Sequence, residues 1–268
     1  MKFTKFAAAA TGAVLALSLT ACGGGDKADD KIAIGIKFDQ PGLGQKVGGN
    51  YEGFDVEVAK YVAKELGYSE DKIEFKESPS PQRENLIMTG QVKLIFATYS
   101  ITDSRKEKIS FGGPYFIAGQ DLLVKNDSDI TSVDGLKGKK LCSVTGSTSA
   151  TKVKEKVPGV QLQEFDTYSK CVDALANGSI DAVTTDDVIL AGFAAQDAYK
   201  GKLKVVGAPF SEERYGVGLK KGDKELCEKV NTAIKKMIDS GEWTKALEKT
   251  VGPSGYKAPT PPAQDACA

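Results

Sequence analysis

From Ile32 onward, short runs of β-forming residues alternate with amphipathic stretches of helical length, and this alternation narrows the fold more than anything else in the chain. Residues 32–36 read as a strand. Residues 53–66, GFDVEVAKYVAKEL, read as helix entry and helix, with Val58, Val62 and Leu66 four apart, Ala59 and Ala63 beside them, and Gly67 as the stop. A strand over 72–76, a short helix over 82–88 and the apolar run 94–97 complete a first series. A second series sets strands at 121–125, 140–144, 161–165, 180–184 and 202–206 among helices opening at Gly146 and covering 168–176 and 187–198. Residues 215–220 read as a strand returning to the first series, 223–239 and 242–250 as closing helices, and the Gly- and Pro-rich segment 38–50 as loop. Such alternation implies an α/β fold of parallel sheets covered by helices on both faces, in two lobes of similar plan. Ligands of these sheets lie beyond the carboxyl ends of the strands.

Two strand ends carry the candidate chemistry. After 94–97 come hydroxyls at Thr98, Tyr99, Ser100 and Thr102, then Asp103 suited to start a helix and Arg105 one turn in. Free N–H groups at a helix start favour an anion, and an arginine beside them can grip a carboxylate through two charge-assisted hydrogen bonds. The strand at 180–183 runs into Thr184, Thr185, Asp186 and Asp187, which offer carboxylates to an ammonium. The two ends together describe an amino acid. Read alone, either is equally a capping device, since Ser, Thr and Asp cap helices wherever strands turn into them.

With 36 basic and 36 acidic residues the chain has neither a basic face for nucleic acid nor an acidic tail. It contains no histidine, which excludes Ser-His-Asp and Cys-His catalysis and histidine-held metals. No metal or cofactor is expected. Residues 1–21 read as a leader: two lysines, an apolar core too short for the roughly 20 residues of a membrane span, then Leu19-Thr20-Ala21-Cys22. Small residues before a cysteine resemble the bacterial lipobox, in which Cys22 is lipidated and anchors the mature chain outside the membrane. An ordinary secretory leader with a chance cysteine is the alternative. Residues 22–30 would then be a tether. The remaining four cysteines allow three disulfide connectivities. Cys142–Cys171 would join a strand to a helix, and Cys227–Cys267 would pin the Pro-rich tail, residues 259–268; free buried thiols remain the other possibility.

Four separated motifs carry a resemblance across nearly the whole mature chain. Residues 53–66 resemble the signature segment of the family 3 extracellular solute-binding proteins, the polar amino acid receptors of ABC importers. Ser-Ile-Thr-x-x-Arg (100–105), Gly-Ser-Thr (146–148) and Ile-Asp-Ala-x-x-x-Asp (180–186) follow in that family's order. The segment IKFDQPGLG (36–44) and the lipobox look most like the glutamate-binding lipoproteins of actinobacterial importers.

The resemblance implies a two-lobe, periplasmic-binding-protein-like fold with a hinge of crossing strands: residues 30–117 with 212–258 as lobe 1, and 118–211 as lobe 2. It implies that Arg105 holds an α-carboxylate, that Thr98, Tyr99 and Ser100 contribute loop contacts, that Ser147 and Thr148 face them from the other lobe, and that Asp186 receives the α-ammonium. Asp187 would be a helix N-terminal residue. Lys37 and Arg83 stand where receptors for acidic amino acids place basic groups, although each is by default a solvated surface charge. Where many members place a ligand-packing aromatic, this chain has Asp39-Gln40-Pro41-Gly42, leaving Phe38 or Phe54 for that role.

The implied function is a non-enzymatic, lipid-anchored receptor on the outer face of the membrane. It would be a monomer that binds L-glutamate or L-aspartate and delivers it to an ABC permease. Glutamine or asparagine is the nearest alternative ligand. Dehydratases of the same fold are the rival enzyme class and would need a raised-pKa carboxylate such as Asp39 or Asp186. A surface lipoprotein used only for adhesion is a third reading.

Overall fold

The described residues of the computed structural model are Met1 and 31–267; most of the expected leader, Cys22, the 22–30 tether and Ala268 lie outside them. The first series contains strand β1 (Ile32–Ile36), the short strands β2 (Asp39–Gln40), β3 (Gly44–Val47) and β4 (Asn50–Glu52), and helix α1 (Phe54–Glu65). It continues with β5 (Ile73–Glu77), α2 (Arg83–Met88), β6 (Leu94–Ile95) and the single turn α3 (Asp103–Lys106). Then follow β7 (Ser110–Lys125), β8 (Lys140–Val144), α4 (Thr148–Lys156), β9 (Gln161–Phe165) and α5 (Tyr168–Ala176). The chain closes with β10 (Ala182–Asp186), α6 (Asp187–Ala194), β11 (Leu203–Val205), β12 (Glu212–Leu219), α7 (Lys224–Asp239) and α8 (Glu242–Thr250).

β7 organises the sheet. The strand order is β5-β1-β6-β12-β7-β10-β8-β9, with β11 also on β7. β7 pairs with β12 over 110–119 and with β10 and β11 over 120–125, so it passes from one half of the sheet to the other near Gly119. β1 lies between parallel β5 and β6, and β8 between parallel β9 and β10, as the alternation implies. The middle is antiparallel, unlike the wholly parallel expectation. The reason is connectivity: β7 leaves the first series, β12 returns to it, and an outgoing and a returning strand run in opposite directions. These two are the crossing strands expected of the hinge, and the fold is the two-lobe α/β arrangement.

The segment 38–50 is not loop throughout. β2, β3 and β4 form a small antiparallel sheet, and Gly48-Gly49, both at positive φ, make the two-residue turn that joins β3 to β4. β7 also begins earlier than expected, at Ser110 instead of 121, because Phe111, Tyr115 and Phe116 are β-forming residues whose pattern Gly112, Gly113 and Pro114 interrupt.

Both preferred disulfides are present, Cys142–Cys171 with Cα atoms 5.6 Å apart and Cys227–Cys267 at 5.9 Å. The tail is held further by Asp265, whose N–H donates to the Gly113 carbonyl at 2.7 Å and whose carboxylate lies 2.7 Å from Arg214. Beneath the crossing strands, Phe54, Tyr115, Phe116, Tyr215 and Trp243 pack ring against ring with centroids 5.4–6.3 Å apart. Among the described residues no helix is long and apolar enough to cross a membrane.

Candidate ligand-binding site

The strand ends singled out in the sequence meet across one small cavity between the two halves of the sheet. It is narrow, leaving only about 10 Å³ of free volume, and is lined by Arg83, Thr98 and Arg105 from one side and by Ser147, Thr148 and Asp186 from the other. Gln40, Ser80, Ser149, Tyr168, Thr185 and Ile189 complete the wall, Thr185 coming from the expected strand end and the others from positions the sequence did not mark as ligand contacts. Ser100 Oγ and Thr148 Oγ1 approach to 3.4 Å across the gap. A larger groove between α1 and α8 is open surface, with Lys60, Lys245 and Lys249 already paired to Glu70, Glu242 and Glu57.

The cationic end of the cavity is built on Tyr99. The Cζ atoms of Arg83 and Arg105 lie 5.0 and 4.7 Å from its ring centroid, close enough for both guanidiniums to be attracted by the ring's π-electrons. The phenol donates to Glu84 Oε1 at 2.8 Å, and burial together with the Glu84 charge holds its pKa above the ordinary phenol range, so it stays a donor. Arg105 Nη1 donates to the Ser100 carbonyl at 2.7 Å and Arg105 Nε lies 3.4 Å from Glu84 Oε1. Arg83 is 3% exposed, donates from Nε to the Ser78 carbonyl at 3.1 Å, and forms no ion pair among the described residues. Its pKa is lowered, by burial first and by Arg105 second. A buried cation without a counter-ion is costly unless an anion arrives to match it.

Thr98 is the strained point. Its φ of 46° lies in the left-handed region that β-branched residues avoid, so the surroundings must hold it there. They do so through Asp55, fully buried in the first turn of α1, whose Oδ2 accepts the Thr98 N–H at 2.9 Å and whose Oδ1 accepts the Tyr115 hydroxyl at 2.7 Å. Burial outweighs these bonds and raises the Asp55 pKa to about 6. Gln40 Nε2 donates to Thr98 Oγ1 at 3.2 Å.

The anionic end is Asp186, at the end of β10 and 3% exposed. It accepts the Tyr215 hydroxyl at 2.6 Å and the Ser149 hydroxyl at 3.4 Å. Burial, then the neighbouring Glu213 charge, pushes its pKa up to about 8. Glu213 is itself fully buried, pairs through Oε1 with Lys152 and Ser211, and leaves Oε2 without a hydrogen-bond partner among the described residues. Thus the crossing strands each supply a tyrosine to a buried carboxylate: Tyr115 of β7 to Asp55, and Tyr215 of β12 to Asp186.

Several expectations need correction. The helix starts at Asp103 as expected but is a single turn, and Thr102 caps it, accepting the Arg105 N–H at 3.3 Å; Thr102 is extended at φ −134° while the Asp103 side chain points into solvent. A single turn offers no aligned N–H array for an anion, so the guanidinium of Arg105 is what this loop presents. Lys37 is not a solvated charge: it is 1% exposed, yet it does not line the cavity, its ammonium lying 3.0 Å from Asp39 Oδ1. The other oxygen of Asp39 accepts the Tyr168 N–H at 3.1 Å, at the start of α5. Phe38 packs on Tyr51 and Phe54 sits in the aromatic core, so neither wall position is theirs; Ile189 and Tyr168 supply the apolar surface. Asp55, Glu84 and Glu213 were missed because each sits in an amphipathic or strand-like run as an unexceptional acid.

A family model of the bacterial extracellular solute-binding proteins, family 3, matches residues 32–253. The chain is 46% identical to the glutamate-binding protein GluB of Corynebacterium efficiens over 93% of this chain and 92% of that protein. It is 40% identical to the ABC transporter glutamine-binding protein GlnH of Bacillus subtilis over 84% and 82% of the two chains. Among solved structures, an ancestral arginine-binding protein bound to glutamine superposes with a TM-score of 0.77 at 35% identity, covering 84% of this chain and 99% of its own. A cysteine-binding protein from Campylobacter jejuni gives 0.78 at 28% identity, covering 84% and 90%. With the family model spanning nearly all of the described fold, the chain belongs to the family 3 bacterial extracellular solute-binding proteins.

Proposed function

We propose that this protein is the ligand-binding receptor of an ABC importer for L-glutamate, with L-aspartate as a second ligand. The carrying observation is the charge layout of the cavity: two guanidiniums flank Tyr99 at one end and one buried carboxylate stands at the other. A ligand with two carboxylates and one ammonium matches that layout. Arg105 takes the α-carboxylate together with Thr98, Ser100, Ser147 and Thr148, Asp186 takes the ammonium, and Arg83 takes the side-chain carboxylate that its burial calls for. Tyr99 is the platform for both arginines, and Lys37 supports the site from behind as the counter-ion of Asp39. The similarity to a glutamate-binding protein across nearly the full length supports this choice of ligand.

Each charge-assisted bond contributes about 1.5–3 kcal/mol net. Three or four of them, offset by closure and desolvation, correspond to a dissociation constant of roughly micromolar or tighter. The ligand touches both lobes only when they close, so it draws the population toward the closed state. We take the lobes as 30–117 with 212–258 and as 118–211, the leader as 1–21, and Cys22 as the lipid-bearing residue that keeps a monomeric receptor beside its permease.

A thermal-shift panel of amino acids on the mature domain tests the reading. Glutamate should stabilise it by about 2.7 kcal/mol at a hundredfold excess over its dissociation constant. Arg105→Ala should abolish the response to every amino acid, and Arg83→Ala should weaken glutamate more than glutamine. Equal loss of both ligands in both variants would refute the assignment. The raised pKa of Asp186 also suits a general acid, so prephenate and arogenate belong in the panel; turnover of either would favour the dehydratase reading.

A further inference from the structure

Glu84 follows Arg83 directly on α2, and a helix turns about 100° per residue, so the two side chains leave α2 in different directions. Arg83 enters the cavity. Glu84 instead lines the outer mouth of the cleft, where it is the carboxylate nearest Arg105. Its Oε1 accepts the Tyr99 hydroxyl at 2.8 Å and lies 3.4 Å from Arg105 Nε.

Arg105 needs such a partner. Arg83 stands on the same ring and repels it, and Lys108 and Lys152 line the same mouth. A guanidinium on a flexible stem, pushed by a like charge and open to the mouth, would swing outward. Glu84 at Nε and the Ser100 carbonyl at Nη1 fix two sides of it, and Nη2 makes no hydrogen bond among the described residues. That is the edge a carboxylate in the cavity would use.

We propose that Glu84 is a positioning residue that holds Arg105 side-on over Tyr99, so that the ligand's α-carboxylate meets a guanidinium already oriented for it. Preorganisation of this kind strengthens binding by removing an ordering cost. The inference rests on the receptor reading above and adds to it a residue that touches no ligand. Glu84 keeps 18% of its side-chain exposure, so screening limits the effect.

The test is calorimetric titration of wild type, Glu84→Gln, Arg105→Lys and the double variant with L-glutamate and with L-glutamine. The amide oxygen introduced by Glu84→Gln still accepts the Tyr99 hydroxyl, so the substitution removes the charge and keeps the packing. Glu84→Gln should weaken both ligands by the same factor, roughly two- to fivefold, because both carry the α-carboxylate. In the Arg105→Lys background the same change should have no further effect, and the melting temperature of the ligand-free protein should not move. Unchanged affinity in Glu84→Gln, an undiminished loss in the Arg105→Lys background, or a loss confined to glutamate would each overturn the proposal while leaving the receptor reading standing. Failure of the wild type to bind either ligand would overturn both.

Discussion

Asp186 makes the proposed site a proton exchanger as well as a receptor. In this fold it is desolvated and faces the charge of Glu213, with Asp187 adding to the repulsion, while Lys152 and the Tyr215 hydroxyl act the other way; the result is a pKa of about 8 against an ordinary 3.8. At pH 7 the carboxyl is therefore about 0.9 protonated. A ligand ammonium arriving against it favours the ionised form, so binding releases about 0.9 proton near neutrality. Affinity should then fall by about tenfold or more from pH 8.5 to pH 6 while the ligand's carboxylates stay ionised. Titration calorimetry in buffers of different ionisation enthalpy reads the proton number directly from the slope of observed enthalpy. Glu213→Gln, which removes the second-largest cause of the shift, should lower the number. A buffer-independent enthalpy at pH 7, with affinity flat between pH 6 and 8.5, would refute the reasoning. The empty protein has the opposite dependence. A raised carboxyl pKa contributes stability that is fully present below about pH 3.8 and lost as pH rises through about 8, because the folded state binds the proton more tightly.

The remaining expectations concern closure, strain and the tail. A Cβ on Gly192 of α6 would meet the Pro41 carbonyl oxygen at 2.3 Å. Gly192→Ala should therefore push α6 and the β2 turn apart and weaken glutamate at least tenfold; wild-type affinity would show that this contact does not matter for binding. Asp55→Ala leaves the Thr98 N–H and the Tyr115 hydroxyl without their acceptor, and chemical denaturation should show a loss of about 2–4 kcal/mol. Opening the Cys227–Cys267 bridge with Cys267→Ser frees a segment of separation 40, for which chain entropy gives a loss of about 4 kcal/mol, again read by denaturation.

The strands and helices of both series were legible because their apolar period is undisturbed: β1, β8, β9, α5 and α8 fall on the residues that periodicity marks out. The small sheet of β2, β3 and β4 was hidden by its polar composition, Asp-Gln and Gly-Gln-Lys-Val, although Gly48-Gly49 was a readable hairpin signal. Antiparallel pairing at the hinge could not be read locally, since it follows from where β12 returns. At the site, Thr98, Arg105, Ser147 and Asp186 stand out as polar residues that end strands or open helices. Their supports do not. Asp55 and Glu84 look like ordinary helix acids, and only folding brings one under Thr98 and the other beside Arg105. Lys37 shows the converse: a conspicuous cation after a strand that turns out to serve Asp39, one of the residues through which β2 meets α5.

The most direct measurement is equilibrium titration of the mature domain, beginning near residue 23, with L-glutamate, and with L-glutamine and L-arginine as competitors. A single site with a dissociation constant of roughly micromolar or tighter for glutamate is expected, with weaker glutamine binding and no competition by arginine, whose added cation would face Arg83. Preferential binding of arginine or glutamine, or no binding of glutamate, would contradict it.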